Sequence, residues 1–201
     1  MSPRPYRKER RQESTDENRQ RIILAARELL ALPRQSPRFS VEAVARQAGV
    51  ARMTVYYQFG SLGGLLEALC DSLAIAGGMN HLAEAFRLAD PLAALDRFIA
   101  VFTGFWESDR LVIRALQALA ALDPEFGAVL EERSGWRRKG VRVLVERLSK
   151  KARRGAREMS QAADLLYMLT SFSTYDMLAD DKRSRDEVTL LLQQLGRLAL
   201  S

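Results

Sequence analysis

An arginine, a threonine and two tyrosines lie within six consecutive residues of this 201-residue sequence. The run reads RMTVYY and comprises Arg52, Met53, Thr54, Val55, Tyr56 and Tyr57. Guanidinium and hydroxyl groups hydrogen-bond to base edges and phosphates, and a bidentate arginine–guanine pair is the commonest specific contact. This set therefore favours non-covalent reading of a DNA duplex, provided that its side chains stand on the outer face of a short helix that fits the major groove.

Two short helices joined by a tight turn would position that run. The stretch from Phe39 to Phe59 reads FSVEAVARQAGVARMTVYYQF. Ser40 is placed to cap the first helix, and Gly49 can take the positive φ that often ends one. Apolar residues recur at helical spacing between them, and Val55 would pack the second helix against the first. The pattern predicts a helix-turn-helix, with a plain αα-hairpin as the alternative.

Catalytic and metal-binding chemistry have little support in this sequence. It holds one cysteine, Cys70, and one histidine, His81. A single chain can therefore form neither a disulfide nor a Cys/His zinc site. We find no glycine-rich phosphate loop and no histidine–nucleophile pair, and Asp180-Asp181 is typical of a solvated turn. We predict a protein that is not an enzyme and needs no metal or cofactor.

The sequence predicts no membrane or targeting segment. Its basic start, MSPRPYRKERR, is followed by polar residues instead of an apolar signal region. No uninterrupted apolar run reaches the roughly 18 residues expected of a membrane span. The single cysteine fits a reducing compartment, and we expect a cytoplasmic protein.

Positive charge is concentrated in the first 60 residues. They hold twelve Lys or Arg against six Asp or Glu, a net of +6, whereas residues 61–201 hold nineteen of each. Such a distribution is typical of a polyanion-binding segment, and counterion release would make binding depend steeply on salt. The candidates for an arm that follows phosphates or enters a minor groove are Arg4, Arg7, Lys8, Arg10 and Arg11. The alternative is a solvated basic tail.

The motif resembles the TetR family of bacterial transcriptional regulators over about Thr15 to Leu66. The residues that carry the resemblance are Ser40-Val41, Val44-Ala45, Ala48 to Ala51, Thr54 to Tyr56, Phe59, Ser61 and Leu65. Two positions depart from the family pattern. Leu62 stands where the family usually has a phosphate-contacting lysine, and Ala51 stands where it usually has a small hydroxyl residue. The resemblance implies a variable helical domain after the DNA-binding head, with a ligand pocket and a dimer interface.

We predict an all-α protein of about nine helices. Residues 1–60 would form the basic arm and a three-helix DNA-binding domain, and residues 61–201 a helical ligand-binding and dimerisation domain. We expect disorder over residues 1–13, a first helix from the capping box at Ser14–Glu17 to Pro33, and a loop over 33–38. Later helices are expected over about 62–76, 80–88, 91–106, 109–122, 124–154, 160–178 and 185–200. Gly135 and Gly140 predict a kink or break in the long helix, and Gly155 its end.

Aromatic residues of the second region could line a cavity for a small apolar molecule, or could simply form its core. The candidates are Phe98, Phe102, Phe105, Trp106 and Trp136. Arg114 and Gln117 lie in an otherwise apolar stretch and could orient a ligand's polar group, or form an exposed stripe. Eleven basic residues between Arg133 and Arg157 are best explained as a solvated helix face.

The last two predicted helices could pair with a second copy of the chain. Residues 165–175 carry no charge, and the final helix has a broad leucine stripe. The predicted interface residues are Leu165, Met168, Leu169, Phe172, Tyr175, Leu191, Leu195 and Leu198. The resemblance implies a four-helix bundle between the two copies, and the apolar stripe could alternatively close its own domain.

The resulting hypothesis is a homodimeric regulator, most simply a repressor, that a small and mainly apolar effector releases from a pseudo-palindromic double-stranded DNA operator. The residues assigned to DNA are Ser40, Ala51, Arg52, Met53, Thr54, Tyr56 and Tyr57, together with the basic arm. Arg52, Thr54 and Tyr56 would read bases, while Tyr57 and Ser40 would meet the backbone. The alternative is a DNA-binding protein without a small-molecule ligand, controlled by a partner protein or architectural.

Overall fold

A computed structural model describes residues 4–32, 39–152, 155–179 and 182–200, with side chains from Thr15 onward except at 149–152. These ranges contain eleven α-helices, one short 3-10 turn at Met79–His81 and no strand. The helices are α1 Arg4–Ala31, α2 Val41–Ala48, α3 Arg52–Phe59, α4 Leu62–Ala76, α5 Leu82–Arg87, α6 Pro91–Ser108, α7 Arg110–Leu122, α8 Pro124–Ala152, α9 Ala156–Leu169, α10 Phe172–Leu178 and α11 Arg185–Leu198. The all-α prediction is confirmed, although the helices outnumber the nine expected.

The chain divides into two compact units that do not follow chain order. The first unit holds Met1–Ser72 and Arg114–Gly127, and the second holds Leu73–Ile113 and Ala128–Ser201. Three helices, α4, α7 and α8, contribute residues to both units. The predicted boundary at residue 60 does not coincide with the limits of these compact units, and the functional division that it describes stays a prediction.

In the first unit, α1 packs against α2 and α2 packs against α3. The predicted apolar stripe of α1 is present, because Ile22, Ala25, Ala26 and Leu30 are all buried. The helical face predicted for α2 is equally well formed, and its buried residues are Val41, Ala43, Val44, Ala45 and Ala48. Val55 is the buried residue of α3. Full burial of one valine stabilises by about 1.5–3 kcal/mol, so this contact is the main apolar anchor of the short helix.

The N-terminal arm is helical where disorder was expected. Helix α1 begins at Arg4, so the helix continues through the expected capping box at Ser14–Glu17. Arginine, lysine, glutamine and glutamate are all good helix formers, and they dominate this segment once the proline residues have passed. The side chains of the five basic arm residues, and the loop expected over 33–38, lie outside the described residues.

The second unit is built around α6. Five of its apolar residues are fully or almost fully buried: Ala94, Leu95, Phe98, Ile99 and Phe102. Aromatic rings form a continuous series of contacts from α5 through α6 to α10. The ring centroids are 6.0 Å apart for Phe86–Phe98, 4.8 Å for Phe98–Phe102, 5.9 Å for Phe102–Trp106 and 5.6 Å for Trp106–Phe172. Aromatic pairs at such separations add to what area burial alone provides, so this series stiffens the core.

The glycines of this unit do not act as the helix break or the C-terminal cap that the sequence predicts. Helix α8 runs unbroken through Gly135 and Gly140. At Gly140 an added Cβ would lie 3.0 Å from the ring of Phe98, so the glycine allows close packing instead of a break. Gly155 does not end a helix with positive φ. It has φ −72° and precedes α9 as its N-cap, where its N–H donates to the Glu158 carboxylate at 3.2 Å.

The helix expected over 160–178 is two helices. Helix α9 begins at Ala156 instead of after Ser160, and the chain breaks at Thr170-Ser171 before α10. Ser171 caps α10 by accepting from the N–H of Thr174 at 3.2 Å. The carbonyl groups that the break exposes are occupied. Arg137 donates to the Tyr167 carbonyl, and the indole N–H of Trp106 donates to the Thr170 carbonyl at 3.0 Å.

No single helix within the described residues is long and apolar enough to cross a membrane. Helices α3 and α4 taken together have the required length and composition, but they are bent by 67° at the break between them.

The turn between α3 and α4 generates a stability prediction. An added Cβ at Gly64 would lie 2.2 Å from the Phe59 carbonyl oxygen, whereas at Gly63 its nearest neighbour would be Ser61 Oγ at 3.5 Å. We expect Gly64→Ala to lower the free energy of unfolding by about 1–3 kcal/mol, because backbone must move. The matched Gly63→Ala should raise it by up to about 1 kcal/mol. Urea titration measures both, and equal effects would contradict the close approach.

Candidate nucleic-acid interface

Two arginines of α1 hold the C-terminal ends of the helix-turn-helix. Arg21 Nη2 donates to the Ala48 carbonyl at the end of α2 at 2.6 Å. Arg19 Nη1 donates to the Gln58 carbonyl near the end of α3 at 3.2 Å, and its Cζ lies 4.6 Å from the centroid of the Phe59 ring. A helix leaves its last carbonyls unpaired and carries partial negative charge there, so a guanidinium satisfies both needs. These contacts tie α2 and α3 separately to α1.

A further contact ties α3 to α1 from the opposite direction. The Gln58 side-chain amide donates to the Thr15 carbonyl at 3.1 Å. Sequence analysis did not predict the roles of Arg19, Arg21 and Gln58. Each is a polar residue on a helix, and nothing in its spacing distinguishes a side chain that bonds to a neighbouring helix from one that is solvated. Arg19 of α1 donates to a carbonyl of α3, and Gln58 of α3 donates to a carbonyl of α1. These two hydrogen bonds together fix how α3 lies on α1.

Both predicted caps of α2 are confirmed. Ser40 has extended backbone and its Oγ accepts from the Ala43 N–H at 3.2 Å. Gly49 adopts φ 64°, the left-handed conformation that lets the chain turn directly into α3. Because the Ser40 oxygen already serves the cap, only its O–H proton remains for a phosphate. Its contact with the DNA backbone stays a prediction.

The outward face of α3 carries the residues predicted to read DNA. Met53 and Tyr57 are 71% and 85% exposed, far more than a large apolar or aromatic side chain is in a core. Arg52 is exposed, while Thr54 and Tyr56 are half-buried at the edges of this face. Ala51 is the N-cap and makes no side-chain cap bond, since alanine has no acceptor. The first N–H groups of α3 are therefore not capped by that residue and can face an anion.

Arg52 is the most highly connected residue of this face. Its Nε lies 2.9 Å from a carboxylate oxygen of Glu42, the second residue of α2. Its Nη2 donates to the Tyr56 hydroxyl at 3.1 Å, and its Cζ lies 5.3 Å from the Tyr56 ring centroid. The hydrogen bond to Tyr56, followed by the charge of Glu42, raises the pKa of Arg52, so it stays charged throughout the physiological range. The structure thus brings two predicted base readers together with an acid that was not predicted.

The predicted ligand residues are not gathered around one described cavity. Phe98 and Phe102 are buried in the core of the second unit, Phe105 and Trp106 are half-buried, and Trp136 is 58% exposed. A cleft of about 220 Å³ in the same unit is lined by other residues, some polar and some apolar. The lining consists of Arg142, Val145, Glu146, Met159, Ser160, Ala163 and Asp164. Arg114 and Gln117 are exposed residues of the first unit. Their roles stay predictions.

Arg137, in the basic stretch of α8, is not part of a solvated face. Arg137 is buried, donates to Thr170 Oγ1 at 3.2 Å, and stacks with its Cζ 4.1 Å from the Tyr167 ring centroid. Burial lowers the pKa of Arg137 to about 10, which still leaves it charged at neutral pH. Its role is to join α8 to the end of α9. An arginine within a basic run gives no sequence signal of this kind.

The predicted dimer residues fall into two groups. Leu169, Phe172 and Tyr175 are buried within the chain, and the Tyr175 hydroxyl donates to the Glu107 carboxylate at 2.7 Å. These three are core residues of the second unit, because the segment turns inward at the break before α10. Exposed apolar residues remain at Leu165 and Met168 of α9 and at Leu195 and Leu198 of α11, with Leu191 half-buried. The interface prediction therefore loses the three buried residues and keeps these five.

Among the described residues, no group of three or more His, Cys, Asp or Glu side chains could hold a metal ion.

Comparison with known proteins finds a family match for the DNA-binding segment. Residues 22–69, which include the helix-turn-helix, match the sequence model described as Bacterial regulatory proteins, tetR family. The chain is also 28% identical over 166 residues to the HTH-type transcriptional regulator EthR of Mycolicibacterium smegmatis, which covers 81% of this chain and 75% of that relative. Residues 22–69 thus carry the sequence pattern of the TetR family, and both matches are to transcriptional regulators and not to enzymes.

Solved TetR-like structures share the fold over most of the chain. A regulator from Rhodococcus sp. RHA1 has a TM-score of 0.67 at 20% identity, covering 90% of this chain and 93% of its own. LfrR from Mycobacterium smegmatis, solved in complex with proflavine, has a TM-score of 0.54 at 22% identity, covering 92% and 96%. At such identities the likeness extends the TetR-family fold to the variable second region and leaves its ligand unassigned.

The geometry of α3 predicts the effect of removing Arg52. Arg52→Ala should lower discrimination at one base pair of each bound half-site by about 1–3 kcal/mol, because a base-reading guanidinium is lost. Arg46→Ala removes the same charge from an exposed position of α2 and is the matched control. It should weaken binding to all sequences alike. Competition binding against duplexes substituted one base pair at a time measures both variants. An unchanged preference profile for Arg52→Ala would remove Arg52 from the base readers.

Proposed function

We propose that this TetR-family chain is a homodimeric repressor that binds a pseudo-palindromic operator and leaves it when a small, mainly apolar ligand binds the second unit. One observation carries the DNA-binding part of this proposal. Helix α3 buries Val55 and presents Arg52, Met53 and Tyr57 to solvent. A helix that projects such side chains, on a segment with a net charge of +6, has the shape and charge for a major groove.

Within the groove, the position of each residue of α3 would decide whether it contacts a base or the DNA backbone. Arg52 opens the helix, and N-terminal residues of a recognition helix are the ones that contact base edges. Thr54 and Tyr56 follow Arg52 along the helix and would also contact bases. The exposed Tyr57 and the cap residue Ser40 would contact the sugar–phosphate backbone. The arm residues Arg4 to Arg11 lie on the helix that supports this head, and their charge would add salt-dependent affinity that is independent of sequence.

A two-fold dimer supplies the second reading helix. Leu165 and Met168 on α9, and Leu195 and Leu198 on α11, are exposed apolar residues at helical spacing. A second copy that covers them would remove this surface from water, and its two-fold axis would match a pseudo-palindrome with half-sites about 34 Å apart. The site of action would be the cytoplasm, where the DNA of a bacterium lies.

The ligand part of the proposal places an apolar effector among the aromatic residues of the second unit. The similar regulator LfrR was solved in complex with proflavine, which supports a small-molecule ligand for this chain. Helix α4 belongs to the first unit up to Ser72 and to the second from Leu73, so it is our candidate for the mechanical link. A ligand that prefers the DNA-incompetent state would release the operator, and DNA would weaken ligand binding reciprocally.

One observation favours a regulator without a small-molecule ligand. Phe98 and Phe102 are buried in the core, and their ring centroids are only 4.8 Å apart, which leaves no room for a ligand between the two rings. The same unit could then respond to a protein partner. The two versions differ in their melting behaviour, because a small ligand that binds the native state must raise the melting temperature in a concentration-dependent way.

Selection of bound duplexes from a random DNA pool tests the DNA-binding proposal. We expect enrichment of one pseudo-palindrome, and affinity for it that falls steeply with salt because phosphate-bound counterions are released. Measurement of the binding constant between about 50 and 200 mM salt gives the slope. A pool that enriches no sequence, with weak binding only at low salt, would leave the chain as a non-specific DNA binder. The departures at Ala51 and Leu62 would then explain the loss.

A charge placed on the exposed apolar face of α9 tests the dimer. Met168→Glu should shift the chain toward monomer and reduce affinity for the full palindrome much more than for one half-site, because a buried unpaired charge opposes association. Leu190→Glu is the matched control, since Leu190 is an exposed leucine of α11 outside the proposed interface. Sedimentation velocity and half-site binding report the two effects. Equal behaviour of both variants would place the interface elsewhere.

A further inference from the structure

We propose that Glu42 is a specificity-determining residue that positions Arg52 for one base edge and keeps it from binding phosphates indiscriminately. The inference rests on the proposed reading of DNA by Arg52, and adds a second residue, on a different helix, to that reading. Glu42 itself would not contact the base. Its carboxylate would act through the guanidinium that it holds.

The contacts of Arg52 divide its guanidinium into a held side and an available edge. Glu42 accepts at Nε at 2.9 Å, and the Tyr56 hydroxyl accepts one hydrogen of Nη2 at 3.1 Å. A guanidinium has five N–H donors in a rigid plane. The two hydrogens of Nη1 and the second hydrogen of Nη2 are not used by these two contacts. The terminal edge between Nη1 and Nη2 is the fork that fits O6 and N7 of guanine.

Two contacts on one side chain also reduce the freedom that binding must remove. An arginine has four rotatable bonds and loses much rotamer entropy when it is fixed in a groove. Here the ion pair to α2 and the contact with Tyr56 of α3 already restrict it before DNA arrives. A base in the matching place gains from this arrangement, whereas a phosphate elsewhere would need Arg52 to leave Glu42.

The charge of Glu42 acts in the same direction. Its side chain is 54% exposed beside an arginine that is 58% exposed, so the carboxylate lies on the solvent side of the helix-turn-helix. An exposed ion pair stabilises a fold little. A carboxylate at a DNA-binding surface, however, repels phosphates and cancels part of the attraction that drives sequence-independent binding. Glu42 would therefore lower non-specific affinity more than operator affinity.

The test compares binding of the selected operator with binding of a scrambled duplex. Glu42→Ala frees Arg52 and should lower the ratio of the two affinities by about fivefold or more, the low end of what one bidentate arginine–guanine pair contributes. Most of this change should come from tighter binding to the scrambled duplex, with a salt slope steeper by about one phosphate contact. Glu28→Ala is the matched control, because it adds the same charge change in the first unit and Glu28 contacts Gln47 instead of Arg52.

A double substitution separates positioning from charge alone. In an Arg52→Ala background, Glu42→Ala should change the affinity ratio much less than it does in the wild-type chain, because only the direct repulsion between Glu42 and phosphates remains. Glu42→Gln keeps an acceptor at the same reach and should retain part of the ratio that Glu42→Ala loses. Glu42→Gln also keeps a polar side chain of the same length in the first turn of α2.

The failures of the two proposals are distinguishable. If the wild-type chain enriches no operator, the proposed DNA reading fails. If it enriches one and Glu42→Ala behaves like Glu28→Ala, only the positioning role of Glu42 is overturned. A second result would also overturn the positioning role. If Glu42→Ala, made in the Arg52→Ala background, removed a preference for cytosine at one position, Glu42 would be reading that base directly.

Discussion

The carbonyl groups left unpaired at the C-terminal ends of helices are the constraint on which much of this structure depends. A protein made of many short helices has many such ends, and each buried end needs a donor. Here arginine is the usual donor. Arg21 serves the end of α2, Arg19 the end of α3, Arg137 the end of α9, and Arg147 the Phe86 and Leu88 carbonyls at the end of α5. Hydrogen bonds to charged groups contribute about 1.5–3 kcal/mol each, so these donors are a substantial part of what orders the helices.

This use of arginine changes the meaning of the positive charge. The net of +6 over residues 1–60 predicts a polyanion-binding surface, and the match of residues 22–69 to the tetR-family model supports DNA as that polyanion. Yet Arg19 and Arg21 already hold carbonyls of the chain itself, and Arg52 is held by Glu42 and Tyr56. Charge counted along a sequence therefore overstates the number of side chains that are free to meet phosphates. The basic run of α8 makes the same point, since one of its arginines is buried.

At α2, local signals in the sequence predicted local structure, since Ser40 and Gly49 stand where a cap and a turn demand those residue types. At Ser14–Glu17 and Gly155 such signals failed, because α1 continues through the first, and the second is the N-cap of α9. What could not be predicted depends on residues far apart in the chain. Gly140 is a glycine because Phe98 lies against it, and the α9–α10 break exists where Trp106 and Arg137 meet its carbonyls. In the candidate site, the family motif located α3, but nothing in the spacing linked Arg52 to Glu42.

The single buried residue of α3 has a consequence for how this protein can change. Val55 anchors the helix, and the contacts of Gln58 and Phe59 with α1 hold its far end. The exposed positions of the helix, which include Met53 and Tyr57, carry little of the packing. They can therefore be replaced without unfolding the head that presents them. A recognition helix fastened at its centre and its end is an exchangeable reading surface, and descendants of such a chain could acquire new operators by substitution at a few exposed positions while the rest of the molecule stayed as it is.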